Sequence, residues 1–168
     1  MKIVKWLDEH FEEYLLILLS IFTVVVIFSQ VVMRYAFSNS LSWSEEIARY
    51  AFIWLIYIGV SFGVKKKKHL GVDAFTLLFE RKGQLIIGML ANLAFLVFAA
   101  VISYYGYDIV LRVTRLSAAI ELPLKWVYAA PVFGMILTAI RLIQNITLEF
   151  RELKQINQPE NKLKEEAV

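Results

Sequence analysis

The side chains best suited to chemistry cluster at the ends of long apolar stretches. In Asn39-Ser-Leu-Ser-Trp-Ser-Glu-Glu-Ile-Ala-Arg49 two carboxylates, Glu45 and Glu46, stand four and three residues before Arg49. On a helix both can reach its guanidinium. Ser42 and Glu45 have the spacing of a capping box, in which each side chain accepts from the other's backbone N–H, and both acids suit the positive end of a helix. The segment has two readings. One is a well-capped helix whose Arg49 is neutralised locally; the other is an interface at which Trp43, Glu45, Glu46 and Arg49 meet a partner subunit. Arg112 and Arg115, followed by Glu121-Leu-Pro-Leu-Lys-Trp-Val-Tyr128, also read two ways. They mark a helix start with Pro123 in its first turn, or a docking surface for an external protein. Lys65, Lys66, Lys67 and Lys68 form a run suited to anionic lipid headgroups or to a soluble protein, and His69 and Asp73 are spaced to pair across one turn. Catalytic chemistry is poorly supplied. With no cysteine and two histidines, disulfides, iron–sulfur clusters, thiol catalysis and cysteine-bound zinc are excluded, and no cofactor or metal is expected. The chain reads as not an enzyme.

The elements that must position these groups are membrane helices. Of 168 residues 59% are apolar and 20% charged, against about 45–50% and about 25% in ordinary globular domains. The charges are concentrated between apolar stretches. An all-α integral membrane protein of four transmembrane helices is expected, with spans at about 14–33, 47–64, 84–107 and 124–147 and a capped interfacial helix start before the second. Residues 1–150 form this domain and 151–168 a charged cytoplasmic tail. Tyr14–Met33 carries no charge and covers about 30 Å, the thickness of the hydrocarbon core. It is too long for a cleaved signal peptide, and acids precede it. The second span needs Arg49 inside its outer turn, where a long side chain can reach the headgroups. The fourth needs Arg141 near the opposite interface. Trp54, Trp126, Tyr128, Arg141 and the Lys65–Lys68 run are the expected membrane anchors. Pro131 predicts a bend near Val127–Pro131.

Lys and Arg set the orientation. Lys2, Lys5, Lys65–Lys68, Arg81, Lys82, Arg151, Lys154, Lys162 and Lys164 fall on one side, against Arg34, Arg112, Arg115 and Lys125 on the other. The positive-inside rule places both termini and the 65–82 loop in the cytoplasm. This bias also accounts for the net charge of +3 without a nucleic-acid partner. No Asp, Glu or His lies at mid-membrane depth, whereas ion-coupled carriers place ionisable groups or broken helices there. The chain reads as a subunit.

At three blocks the sequence resembles the small membrane subunit of tripartite ATP-independent periplasmic (TRAP) transporters. The blocks are Ser40-Leu-Ser-Trp-Ser-Glu-Glu-Ile-Ala-Arg-Tyr50 with Phe52, Trp54, Leu55 and Gly59; His69-Leu-Gly-Val-Asp73; and Leu122-Pro-Leu-Lys-Trp-Val-Tyr-Ala-Ala-Pro-Val-Phe-Gly134 with Arg141. Glu121 departs from the family, which more often has a small or apolar residue there. The resemblance implies a bacterial inner-membrane protein that binds no substrate itself. A periplasmic binding protein captures an organic anion, a large multi-span subunit moves it with a sodium gradient, and the small subunit associates with the large one as a scaffold. Within the family the chain looks like the small subunits that serve sialic acid uptake. Three other classes stand beside this reading, a membrane enzyme among them, whose four-helix thiol oxidoreductases need the cysteines that this chain lacks. A self-assembling small exporter would need an acid in the first span. A membrane assembly factor or receptor is the remaining class.

Overall fold

The computed structural model describes the backbone of residues 2–66 and 79–165 and the side chains of 10–66 and 79–156. Regular structure among the described residues is helical: α1 (Lys2–Ala36), α2 (Ser44–Lys65), α3 (Arg81–Arg112) and α4 (Lys125–Glu165). An isolated bridge joins Leu116 to Pro123. Four segments are long and apolar enough to cross a membrane: His10–Ala36, Ser44–Lys65, Arg81–Arg112 and Lys125–Ile156. They match the expected spans in number and order but run beyond each apolar stretch. A backbone in lipid must satisfy its own hydrogen bonds, so a helix continues until water or another chain segment can replace them. α4 continues through Pro131 without interruption and carries on past residue 150 as one helix of 41 residues. Lys67, Lys68, His69 and Asp73 lie outside the described residues.

The helices form an open row instead of a closed bundle. α1 packs on α2, α2 on α4 and α4 on α3, and no other pair among the described helices meets along its backbone. α2 and α4 therefore run parallel at the centre, flanked by antiparallel α1 and α3. One end of the row, here the turn end, carries the 37–43 turn and the 113–124 segment.

Close approach fixes the central contact. A Cβ built on Gly134 of α4 would lie 2.6 Å from the Cβ of Tyr57 and 2.7 Å from its carbonyl oxygen, so only glycine lets α2 and α4 come this near. Trp54 of α2 then stacks at a tilt on Phe133 of α4, ring centroids 5.8 Å apart. The buried apolar core is small, and includes Ile58, Val64, Ala99, Ala130, Met135 and Leu142. Leu18, Val24, Phe28, Leu90, Val97 and Leu111 on the flanking helices remain exposed. Uncovered apolar faces of this extent suit hydrocarbon or another membrane protein, not water.

The start of α2 differs from expectation. Trp43 takes the N-cap position in a helical conformation with no side-chain cap. The turn is closed by the Ser44 hydroxyl donating to the Leu41 carbonyl at 2.7 Å. The Ser42–Glu45 capping box does not form because Glu45 is drawn to α1, where it accepts from the Gln30 amide at 2.8 Å. Pro123 likewise precedes the fourth helix and lies in the bridge, with Val127 and Tyr128 donating to Leu124.

Candidate functional site

Two polar joints gather the most partners in the row. In the half away from the turn end Glu12 of α1 is fully buried. Its carboxylate accepts from Arg141 of α4 twice, Nε at 2.8 Å and Nη2 at 3.2 Å. Lys65 Nζ of α2 donates to it at 2.8 Å and the Ser61 hydroxyl at 2.9 Å. Arg141 also donates to Gln144 at 2.9 Å, and the neighbouring Asn145 amide donates to the Val64 carbonyl at 2.9 Å. The fork geometry of the guanidinium matches the carboxylate, which is the arrangement that makes an ion pair of this kind both directional and strong. Three helices meet on one carboxylate, including two whose backbones do not touch.

Arg141 and Lys65 were expected to reach toward headgroups. Instead both turn inward, because a buried carboxylate without counter-charge would cost more than holding two cations beside it. Glu12 is the residue that sequence reasoning missed. It sits two positions before the apolar stretch, where an acid reads as the flank of a span. Arg141, a charge inside an apolar segment, was the available signal, since such a charge demands a partner. Lys66 remains exposed, its ammonium 5.3 Å from the centroid of Phe62.

The second joint lies at the turn end. Both oxygens of Glu46 are engaged. They accept from the backbone N–H of Ala118 at 3.1 Å and of Ala119 at 2.8 Å, and from the Tyr50 hydroxyl at 2.5 Å. Ser117, buried, closes the same turn: its N–H donates to the Leu122 carbonyl at 2.9 Å and its hydroxyl accepts from the Leu122 N–H at 3.1 Å. Glu121 takes a left-handed conformation at φ 53°. Glu46 therefore fastens the 113–124 segment onto α2 and makes it a formed surface.

The remaining sequence candidates are dispersed. Glu45 bonds Gln30, not Arg49. Arg49 is exposed and has no hydrogen bond or ion pair among the described residues, so its expected local neutralisation by Glu45 and Glu46 is not found. Arg112 pairs with Asp108 one turn back at 2.9 Å on an exposed face. Trp43, Arg115, Trp126 and Tyr128 are exposed toward the turn end. Between α3 and α4, Asn92 donates to both oxygens of Glu149 at 3.2 and 3.0 Å, and Arg81 pairs with Glu152. Among the described residues no cluster of three His, Cys, Asp or Glu could hold a metal. The polar contacts among the described residues join helices and turns.

Residues 23–152 match the family described as tripartite ATP-independent periplasmic transporters, DctQ component. A putative TRAP transporter small permease protein of Haemophilus influenzae is 30% identical over 137 residues, 81% of this chain and 82% of that protein. The isethionate TRAP transporter permease protein DctMQ of Oleidesulfovibrio alaskensis is 28% identical over 161 residues, 89% of this chain and 25% of the relative. The sialic acid TRAP transporter permease protein SiaT of H. influenzae is 28% identical over 155 residues, 90% and 24% respectively. The chain thus spans about a quarter of the length of the latter two relatives.

Proposed function

Because the chain belongs to the DctQ family of small membrane components of TRAP transporters, we propose that it is the stationary scaffold on which a large membrane subunit moves an organic anion. It is a multi-pass inner-membrane transporter component and not an enzyme. The observation carrying the scaffold reading is the open helix row with its uncovered apolar faces. Such a row widens the surface that a partner holds against lipid, and its polar joints keep it rigid while the partner moves. The two longer relatives support the partnership: each continues, in one polypeptide, well beyond the quarter matched here. Sodium drives the transport, and a periplasmic protein delivers the substrate to the turn end, where Trp43, Arg112, Arg115 and the segment held by Glu46 are presented. The substrate class is organic anions, with sialic acid a member. Relatives named for isethionate and for sialic acid are equally similar to this chain, which fits a subunit that does not choose the substrate.

Proteoliposomes test this. Sodium-dependent sialic acid uptake is expected only when this chain, a large TRAP subunit and a binding protein are all present; uptake with this chain alone would refute the scaffold reading. Orientation is checked separately in a chain that has no native cysteine. A cysteine at Ser38 is expected to react with an impermeant maleimide from the periplasm, and one at Lys66 only after permeabilisation. The reverse pattern would place the turn end in the cytoplasm.

A further inference from the structure

An open cleft of about 420 Å³ lies between α1 and α2 near the turn end. Its walls run from Gln30 and Glu45 past Arg49 to the deeper Ile27, Thr23 and Phe52. Ile27 and Phe52 are exposed within the spanning segments, so the cleft opens sideways onto hydrocarbon. Three polar groups in it are incompletely used. Arg49 offers a guanidinium with no acceptor among the described residues. Glu45, one helical turn away, accepts from the neutral Gln30 amide but has no cationic partner among the described residues. Gln30, nine-tenths buried, spends its amide nitrogen on Glu45, and its carbonyl oxygen has no donor among the described residues. A carboxylate and a guanidinium on adjacent turns would ordinarily pair. Here they face the same space unpaired.

We propose that this cleft binds a zwitterionic phospholipid carrying a primary ammonium, with its phosphodiester on Arg49 and its ammonium on Glu45 and the Gln30 carbonyl. The charge pattern selects this occupant. A partner helix would have to bring an anion and a donor-bearing cation at matching heights. A phosphoethanolamine headgroup holds both within a few bonds, and its acyl chain continues along Ile27 and Phe52. The guanidinium then gains the bidentate acceptor that its geometry favours, and no charge in the cleft is left uncompensated in a medium of low dielectric. The site makes the membrane part of the α1–α2 contact, and it stands independently of the scaffold reading.

Native mass spectrometry of the detergent-purified full chain, offered equimolar dioleoyl phosphatidylethanolamine and phosphatidylcholine, tests the assignment. Phosphatidylcholine keeps the phosphate and the positive charge but has no N–H. The native chain is expected to retain one phosphatidylethanolamine, favoured by about tenfold, the worth of one charge-assisted hydrogen bond. Glu45→Gln is expected to bring that ratio close to one while still binding both lipids, and Arg49→Ala to lose both adducts. Arg112→Ala, with its charge elsewhere, leaves them unchanged. The Glu45 arm reads headgroup preference, not folding, so it stands even if Arg49→Ala is poorly folded. Equal retention of the two lipids by the native chain, or a preference surviving Glu45→Gln, overturns the proposal. So does a photoreactive residue at Phe52 that crosslinks in the native membrane to a protein instead of to lipid.

Discussion

Glu12→Ala is expected to destabilise the helix row by about 3–5 kcal/mol, the range for breaking a buried ion pair from one side. The substitution removes from the buried Arg141 and the largely buried Lys65 the carboxylate that they share. Lys65 is partly exposed and can swing toward water, so most of the loss is assigned to Arg141. The consequence is specific in place. α1 and α4 share no backbone contact, and among the described residues this carboxylate bonds the one to the other, so α1 is expected to loosen while α3 stays on α4. Denaturation in mixed micelles, followed by tryptophan fluorescence, measures the loss; protease sensitivity near residues 10–20 locates it. Arg141→Lys keeps the charge but not the two-point grip, and is expected to cost less. Glu12→Leu combined with Arg141→Leu removes both charges together and is expected to recover much of the stability, because well-packed apolar replacements of buried pairs are often neutral. A Glu12→Ala chain as stable as the native one would mean that apolar packing of α1 on α2 alone holds the end of the row.

The contrast between what the sequence revealed and what it concealed follows from whether a property belongs to one segment or to two. Tyr14–Met33 reads as a span because length and hydropathy are its own. The order of helices in the row is different. Membrane helices are apolar on all sides, so no stripe marks which face meets which neighbour, and the placement of α4 between α2 and α3 is not written in any periodicity. The same reason hid the fate of Glu45. Ser42 and Glu45 have correct local spacing for a capping box, yet Gln30, fifteen residues earlier, competes for the carboxylate once α1 and α2 run antiparallel. Glu46 was legible as important but not as what it is. Its use as an anchor for Ala118 and Ala119 depends on a turn more than seventy residues away. The blocks that carry the family resemblance nevertheless fall on structural joints: Glu46 and Tyr50 bond each other in the first, and Gly134 closes the third. Arg141, just beyond it, meets Glu12, which lies outside residues 23–152.

Gly134→Ala is expected to wedge α2 from α4, at a cost of about 2–3 kcal/mol, the upper part of the range for inserting volume into a packed core. The added Cβ would meet Tyr57 at its Cβ, its carbonyl oxygen at 2.7 Å and its carbonyl carbon at 2.9 Å. Two of those atoms are backbone and cannot rotate away, so relief requires the helices to separate. Separation in turn disturbs the Trp54–Phe133 stack and the Asn145–Val64 hydrogen bond, which depend on the same approach. Two other glycines calibrate the effect. A Cβ at Gly106 would meet only the Val132 Cγ2 atom, at 2.8 Å, and Val132 can adjust its side chain, so Gly106→Ala is expected to cost less. At Gly63 nothing lies within 4 Å, and Gly63→Ala is expected to be neutral or slightly stabilising through lower backbone entropy in the unfolded chain. Micelle denaturation midpoints are therefore expected to fall in the order Gly63→Ala, Gly106→Ala, Gly134→Ala. If Gly134→Ala matches Gly63→Ala, the central crossing tolerates a methyl group and α2 and α4 are not held at the distance seen here. If the order holds, a Gly134→Leu chain is expected to lose the parallel pair altogether, leaving Glu12 no route to Arg141.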